Sequence, residues 1–231
     1  VSFDAYYSIK TPALLRKPAN LLQHAEMALG ITDGSFTPEY TRDQLDLIRQ
    51  NSDLVLTDAE WGRWTGYPQF FKDQDWNDML IGNGNMQNYN VNISGGGERY
   101  SYMLSLGHQR EEGIPKFGED VNKRYFVRAK SSVEIFKNLT YDLNLAYEAS
   151  NRDYSSGLTE GQNIWELIYK TRSWTPMYNP SGTFYTFEGF DNPAQVLEDG
   201  GMVNKTTGNI TVNNQLRWKV IDGLQLVGQA V

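Results

Sequence analysis

Few residues in this 231-residue chain have the chemistry to make or break covalent bonds. It has two histidines, His24 and His108, and no cysteine. Thiolate nucleophiles, disulfides and Cys-ligated metals are thereby excluded. The histidines are far apart in unlike contexts, and each is expected to be an exposed polar residue rather than a catalyst. No HExxH or comparable ligand spacing occurs. The close-set carboxylates Glu111–Glu112 and Asp73–Asp75 have the chemistry of a glycosidase acid pair or a Ca²⁺ site, but solvated loop charge is the commoner origin of such pairs. The expectation is a protein that is not an enzyme and carries no cofactor. With 28 acidic residues against 21 Lys plus Arg, a nucleic-acid partner held through its phosphates is also disfavoured.

Aromatic rings set among amides form a stronger pattern. Trp165, Trp174, Tyr178, Tyr185 and Phe187 occupy one segment without strand alternation, near Asn163, Asn179 and Asn192; Trp61 and Trp64 occupy another. Rings stack on the apolar C–H faces of sugars while amides read hydroxyls. The candidate ligand-binding residues are therefore Trp165, Trp174, Tyr178, Asn179, Tyr185, Phe187, Trp61 and Trp64. Each ring has a competing role, packing the segments together or docking a partner protein. At least one of them is expected to meet ligand.

The elements that would position these rings read mostly as strands. Val1, Phe3, Ala5, Tyr7 and Ile9 alternate with polar residues, as do the runs 86–94, 99–109, 124–135, 139–150 and 209–220. Each is about the 9–11 residues that cross a bilayer as a tilted strand. One face collects Tyr89, Val91, Leu104, Leu106, Val127, Leu143 and Leu145. The other collects Asn88, Asn90, Asn92, Arg128, Lys130, Asp142, Asn144, Glu148 and Arg217, the candidate lumen-facing residues; Met103 interrupts it. Arg128 and Glu134 are expected to be among its paired charges. Asn20–Leu29, stopped by Gly30, and Thr41–Gln50 have helical spacing, with Asn20 as N-cap.

Connections alternate between short (95–98, 137–138, 222–223) and long (111–122, 151–208). An antiparallel meander would place tight turns at one end and elaborate loops at the other, as in a transmembrane barrel. Tyr100 and Tyr102 near the short turns, with Tyr125 and Tyr147 near the long loops, suit two interfacial girdles. A soluble β-sandwich also alternates, and stays open from the pattern alone. The triplet Gly95–Gly97 lacks the GK[ST] of a phosphate loop and is expected to supply positive φ for a hairpin turn.

Several pieces in order carry a family resemblance: DQDWNDMLI (73–81), MQNYNVNISGGGERYSYMLSLGHQREEGI (86–114), KRYFVRAKSSVEIF (123–136), YNPSGTF (178–184), DNPAQVLEDGG (191–201) and TTGNITVNNQLRWKVIDGLQL (206–226). Through them the chain resembles the SusC-like TonB-dependent outer-membrane transporters; the first 70 residues match loosely. The resemblance implies an all-β, antiparallel up-and-down barrel of about 22 strands around a plug, with short helices in outer loops. About seven strands would lie here. Residues 1–10 would be the first strand, 11–85 the first outer loop, and 86–231 strands two to seven with the long loop at 151–208. The plug and the remaining barrel would lie outside this piece. The family imports mainly oligosaccharides, in a minority peptides, across the bacterial outer membrane. Its partners are a SusD-like surface lipoprotein, the TonB complex and the lipid bilayer. It allows Ca²⁺ in the assembled complex, which nothing in this sequence indicates. Seven strands would leave two unpaired edges. Expressed alone, the chain is expected to aggregate, read by sedimentation and size exclusion.

Overall fold

The computed structural model describes residues 1–13, 17–31, 40–50, 59–65, 73–158, 164–187 and 190–231. Tyr67, Phe70, Phe71 and Asn163 lie outside them. In chain order the elements are β1 (Ser2–Lys10), α1 (Leu21–Ile31), α2 (Arg42–Gln50), β2 (Ala59–Glu60), β3 (Arg63–Trp64), α3 (Trp76–Leu80), β4 (Gly84–Gly96), β5 (Tyr100–Glu112), β6 (Asp120–Phe136), β7 (Leu139–Ser155), α4 (Ile164–Lys170), α5 (Pro193–Asp199), β8 (Met202–Ile221) and β9 (Leu224–Ala230). Seven strands form one antiparallel sheet in the order β1-β4-β5-β6-β7-β8-β9, and β2 pairs with β3 in a small hairpin. The sheet does not close; β1 and β9 are its edges.

The strands outrun the alternating sequence at the long-loop end. β7 continues to Ser155 and β8 begins at Met202, so the connection between them spans 156–201, and that between β5 and β6 only 113–119. Cross-strand register explains why. Along the apolar face, Tyr89–His108–Tyr125–Ala149 form one rung of direct partners. The next rung outward is Gln87–Arg110–Lys123–Asn151, and the next contains Asn85 and Asp153. The ladder continues while both faces turn mostly polar, Val121 excepted, so the period of two disappears from the sequence.

The edge of the apolar face also slopes. On β1 its last residue toward the long loops is Ile9; on β8 it is Ile210, whose rung leads through Tyr147, Val127, Leu106 and Val91 to Phe3. The boundary thus shifts by six residues over five strand-to-strand steps. At about 3.4 Å rise per residue and about 4.8 Å between strands, this corresponds to strands tilted by about 40° from the normal of that boundary. The short turns descend in the same direction. Closed barrels tilt their strands by about 35–45°. On β7 the apolar face runs from Leu139 to Ala149, about 26 Å high at that tilt, against about 25 Å for a transmembrane barrel's apolar band.

Glycine serves close approach more than unusual φ. None of Gly95, Gly96 or Gly97 has positive φ, contrary to the expectation from sequence; Gly223 in the last turn does, at +85°. Gly95 and Gly96 still belong to β4, and a Cβ there would lie 2.6 Å from Tyr102 Oη and 2.6 Å from Tyr100 O respectively. Gly107 faces Phe126 on the polar side, and its Cβ would fall 1.9 Å from Phe126 Cζ. The ring covers a bare glycine and so fixes register, as aromatic residues do over strand glycines. Gly107→Ala is expected to cost about 1–3 kcal/mol by overpacking. In the full-length protein, the loss should shrink when Phe126→Ala is added, read by urea unfolding in a double-mutant cycle.

Candidate functional site: the outer-loop cap

The connections at the long-loop end fold onto one another. Asn20 and Thr41 cap α1 and α2 by the same reciprocal device. Asn20 Oδ1 accepts from Gln23 N at 2.8 Å while Gln23 Oε1 accepts from Asn20 N at 3.1 Å, and Thr41 and Gln44 repeat the exchange. Helix α1 continues through Gly30 to Ile31 rather than stopping there. Leu21, Ala25, Tyr40, Leu45 and Ile48 bury against Trp174 of the distant 156–201 connection. Glu26 accepts from Arg49 at 2.9 Å, joining α1 to α2 and raising the guanidinium pKa. A second cluster gathers Trp76 and Leu80 of α3, Ile81, Ile164 and Ile168 of α4, Met177, and Ala194 and Leu197 of α5.

Polar side chains tie the same segments. Asp73 accepts from Leu21 N at 2.8 Å and from Ser173 Oγ at 2.9 Å; Asp75 caps α3 by accepting from Asp78 N at 3.1 Å. The Trp76 indole donates to Thr175 O at 3.2 Å. Asn192 is 1% exposed, donates to Met177 O and Tyr185 O at 2.8 and 3.0 Å, and accepts from Ala194 N at the start of α5. This accounts for the DNPA run in physical terms.

The carboxylate pairs thus have structural partners. Glu111 and Glu112 point to opposite faces of β5; Glu111 accepts from Lys10, and Glu112 from Arg110 and Asn85. The histidines are not exposed polar residues. His24 packs against Trp174 and Tyr40 at 4.6 and 5.9 Å between ring centroids, and His108 lies 4.8 Å from Tyr125 and 6.4 Å from Tyr89. Among the described residues, no three His, Asp or Glu side chains are grouped to hold a metal ion.

The eight loop candidates separate by exposure. Trp174 and Tyr185 are each 2% exposed and belong to the cap's interior. Asn179 is buried, with its amide donating to Thr183 Oγ1 and Phe184 O at 3.1 and 3.0 Å. Trp64 and Phe187 are half-buried. Trp64 donates through its indole to Tyr178 O at 3.0 Å and through its backbone to Asn179 Oδ1 at 3.2 Å; Phe187 stacks on Phe190 at 5.3 Å. Trp61, Trp165 and Tyr178 remain exposed. Trp61 is 99% exposed at the tip of the β2–β3 hairpin with φ +54°, left-handed backbone that a tryptophan adopts at a cost. The hairpin is held by Ser181 N donating to Gly62 O at 3.0 Å.

Two cavities of about 550 and 640 Å³ flank α5 and share Thr186, Gln195 and Asp199. One is walled by Trp64 and Phe184, the other by Phe187 and Phe190. Sequence reasoning missed the polar floor. Its only local signal is the exposed side of a short capped helix, and it becomes a site only through contacts distant in the chain.

The candidate lumen residues share one face by register: Asn92, Asn90 and Asn88 on β4, Arg128 and Lys130 on β6, Asp142, Asn144 and Glu148 on β7, and Arg217 on β8. Arg217 grips Asp142 with two bonds of 2.7 and 2.9 Å. Arg128 and Glu134 do not pair; six residues apart on one strand, they are about 20 Å from each other.

This arrangement is an open antiparallel sheet of the kind that builds a transmembrane β-barrel, with a folded cap at its long-loop end. Among the described residues no helix is long and apolar enough to cross a membrane, which does not bear on crossing by strands. No family model matches. Two curated proteins of Formosa agariphila are similar in sequence. TonB-dependent receptor P26 is 29% identical over 124 residues, 54% of this chain and 11% of that protein. TonB-dependent receptor P3 is 25% identical over 203 residues, 83% of this chain and 19% of that protein. The chain therefore spans under a fifth of either relative. In fold, 98% of it matches the RagAB peptide importer in its closed-closed state (TM-score 0.65, 19% identity, 27% of that chain) and in its open-open state (TM-score 0.64, 19% identity, 26% of that chain). This segment is thus similar in sequence to TonB-dependent receptors and in fold to the RagAB importer. These relatives are receptors and importers, not enzymes.

Two substitutions separate packing from display. In the full-length protein Trp174→Ala should destabilise the cap by about 3–5 kcal/mol, whereas Trp61→Ala should stay within about 0.5 kcal/mol. Limited proteolysis of the outer loops in a urea series reads both.

Proposed function

We propose that this chain is the first part of the barrel of an outer-membrane importer that takes up oligosaccharides with energy from TonB. A SusD-like surface lipoprotein closes over its outer loops, and no covalent bond is made or broken. The observation that carries this reading is the sheet itself: one sloping apolar face, one face of amides and paired charges, and an interlocked cap presenting Trp61, Trp165 and Tyr178 at one end. The amide-rich face lines the lumen, where groups of both hydrogen-bonding senses serve hydrated solute and plug alike. Rings stack on sugar faces; Thr186, Gln195 and Asp199 offer hydroxyl-reading groups beside Trp64 and Phe184 in one cavity and Phe187 and Phe190 in the other.

A second reading, import of oligopeptides by the same machinery, is favoured by the fold match to a peptide importer. Uptake decides between them. A deletion strain should lose growth on particular glycans and regain it with the wild-type gene, but not in a strain without TonB. Growth loss on peptides alone selects the second reading. Trp61→Ala and Tyr178→Ala should lower uptake at limiting solute while leaving the amount of protein in the membrane unchanged.

The assignment of faces has its own test. Leu143→Arg, on the apolar face, is expected to cost about 2–4 kcal/mol if it meets lipid near the midplane, and Asn144→Arg far less. Equal costs in folding titrations of the full-length barrel would overturn the assignment.

A further inference from the structure

Two adjacent outward-facing rungs have a chemistry that import does not require. The lower carries the ring series Tyr89, His108 and Tyr125 at the edge of the apolar face. The upper carries Gln87, Arg110, Lys123 and Asn151. Arg110 and Lys123 are direct cross-strand partners. Like charges placed opposite one another destabilise a ladder, so the pair needs a compensating group. Arg110 is compensated in part, donating from Nη2 to Glu112 at 2.6 Å, while its Nε is shielded from solvent with no partner. No described carboxylate forms an ion pair with Lys123. The nearest outward acids, Glu112 and Asp153, lie one rung further from the apolar face, and both are engaged, Glu112 with Arg110 and Asn85 and Asp153 with Asn204.

We propose that Arg110 and Lys123 bind the phosphate of a lipid head group in the outer leaflet. This rests on the membrane-spanning reading above. The lipid's apolar chains lie along Leu104, Leu106, Val127 and Ala129, directly below on the same two strands. Its polar neck meets Tyr125 and His108, where amphipathic rings take the headgroup level. Gln87 and Asn151 flank the cations with amide donors. Position selects a lipid over free phosphate: the cations stand one rung above an exposed apolar surface, with Leu106 41% and Tyr125 48% exposed. Basic residues at that level attract anionic heads.

The test uses full-length protein in neutral detergent, titrated by native mass spectrometry with a phosphorylated glycolipid and its dephosphorylated form. The phosphorylated form should bind in preference. Lys123→Gln and Arg110→Gln should each weaken it about fivefold. Lys219→Gln, on the opposite face, should not. Undiminished binding by Lys123→Gln overturns the proposal; that variant breaks no bond and remains informative if Arg110→Gln fails to fold. Equal affinity for the dephosphorylated lipid overturns it, as does displacement by millimolar inorganic phosphate, which would indicate a free-anion site. Recovery of full-length protein outside the membrane would instead overturn the reading beneath it. Membrane-bound protein without phosphate preference removes this proposal alone.

Discussion

Hydrocarbon offers no hydrogen-bond partner to a peptide group, and most of this structure follows from that constraint. Every N–H and C=O within the apolar band must bond to a neighbouring strand. The register is accordingly continuous from β1 to β8 through the band, and neither of its two irregularities lies in the middle of it. They fall at Glu134/Phe136 and Lys219/Ile221, beside the short turns. None of the seven long strands contains proline, which would remove a donor from the ladder. Glycines stay in the ladder where a ring takes the room of their side chain, as Phe126 does over Gly107. The edges left at β1 and β9 are the places where this piece cannot satisfy the constraint by itself.

A period of two is the direct imprint of that constraint on sequence, so the strands within the band were legible, and so was the division of their residues between two faces. Legibility ends where lipid ends. Beyond Tyr89, His108 and Tyr125 the outward residues are Gln87, Arg110 and Lys123, alternation vanishes, and the rest of β7 and β8 reads as loop. Of the helices, α3, α4 and α5 were not legible; α1 and α2 were, for a different reason. Their caps are local, and Asn20 with Gln23 or Thr41 with Gln44 can be read from adjacent residues.

The candidate site was legible only as a composition. Aromatic residues marked segments that fold into the cap, but exposure is decided by contacts across the chain. Trp174 is buried because α1 and α2, more than a hundred residues earlier, close over it; Trp61 is exposed because a hairpin pinned at Ser181 turns it outward. Nothing within a few residues of either distinguishes them. The same holds for His24 and His108, each placed against aromatic rings by partners distant in sequence.

Tilt and strand length together give the cap its place. β7 continues six residues past Ala149 before the loop begins at Ser156. At about 40° of tilt those residues rise about 16 Å above the apolar edge. On β7 and β8 the cap therefore stands on a collar of strand, whereas β1 ends at Lys10, one residue past its apolar face. The cap's two longest connections are locked together by Trp174 and Asp73, and Asn192 braces the second of them internally. Two requirements are thus met by separate physics. The band below needs an unbroken ladder and an apolar exterior. The cap above, in water, can afford helices, exposed rings and a strained Trp61, because its exposed polar groups have solvent for a partner.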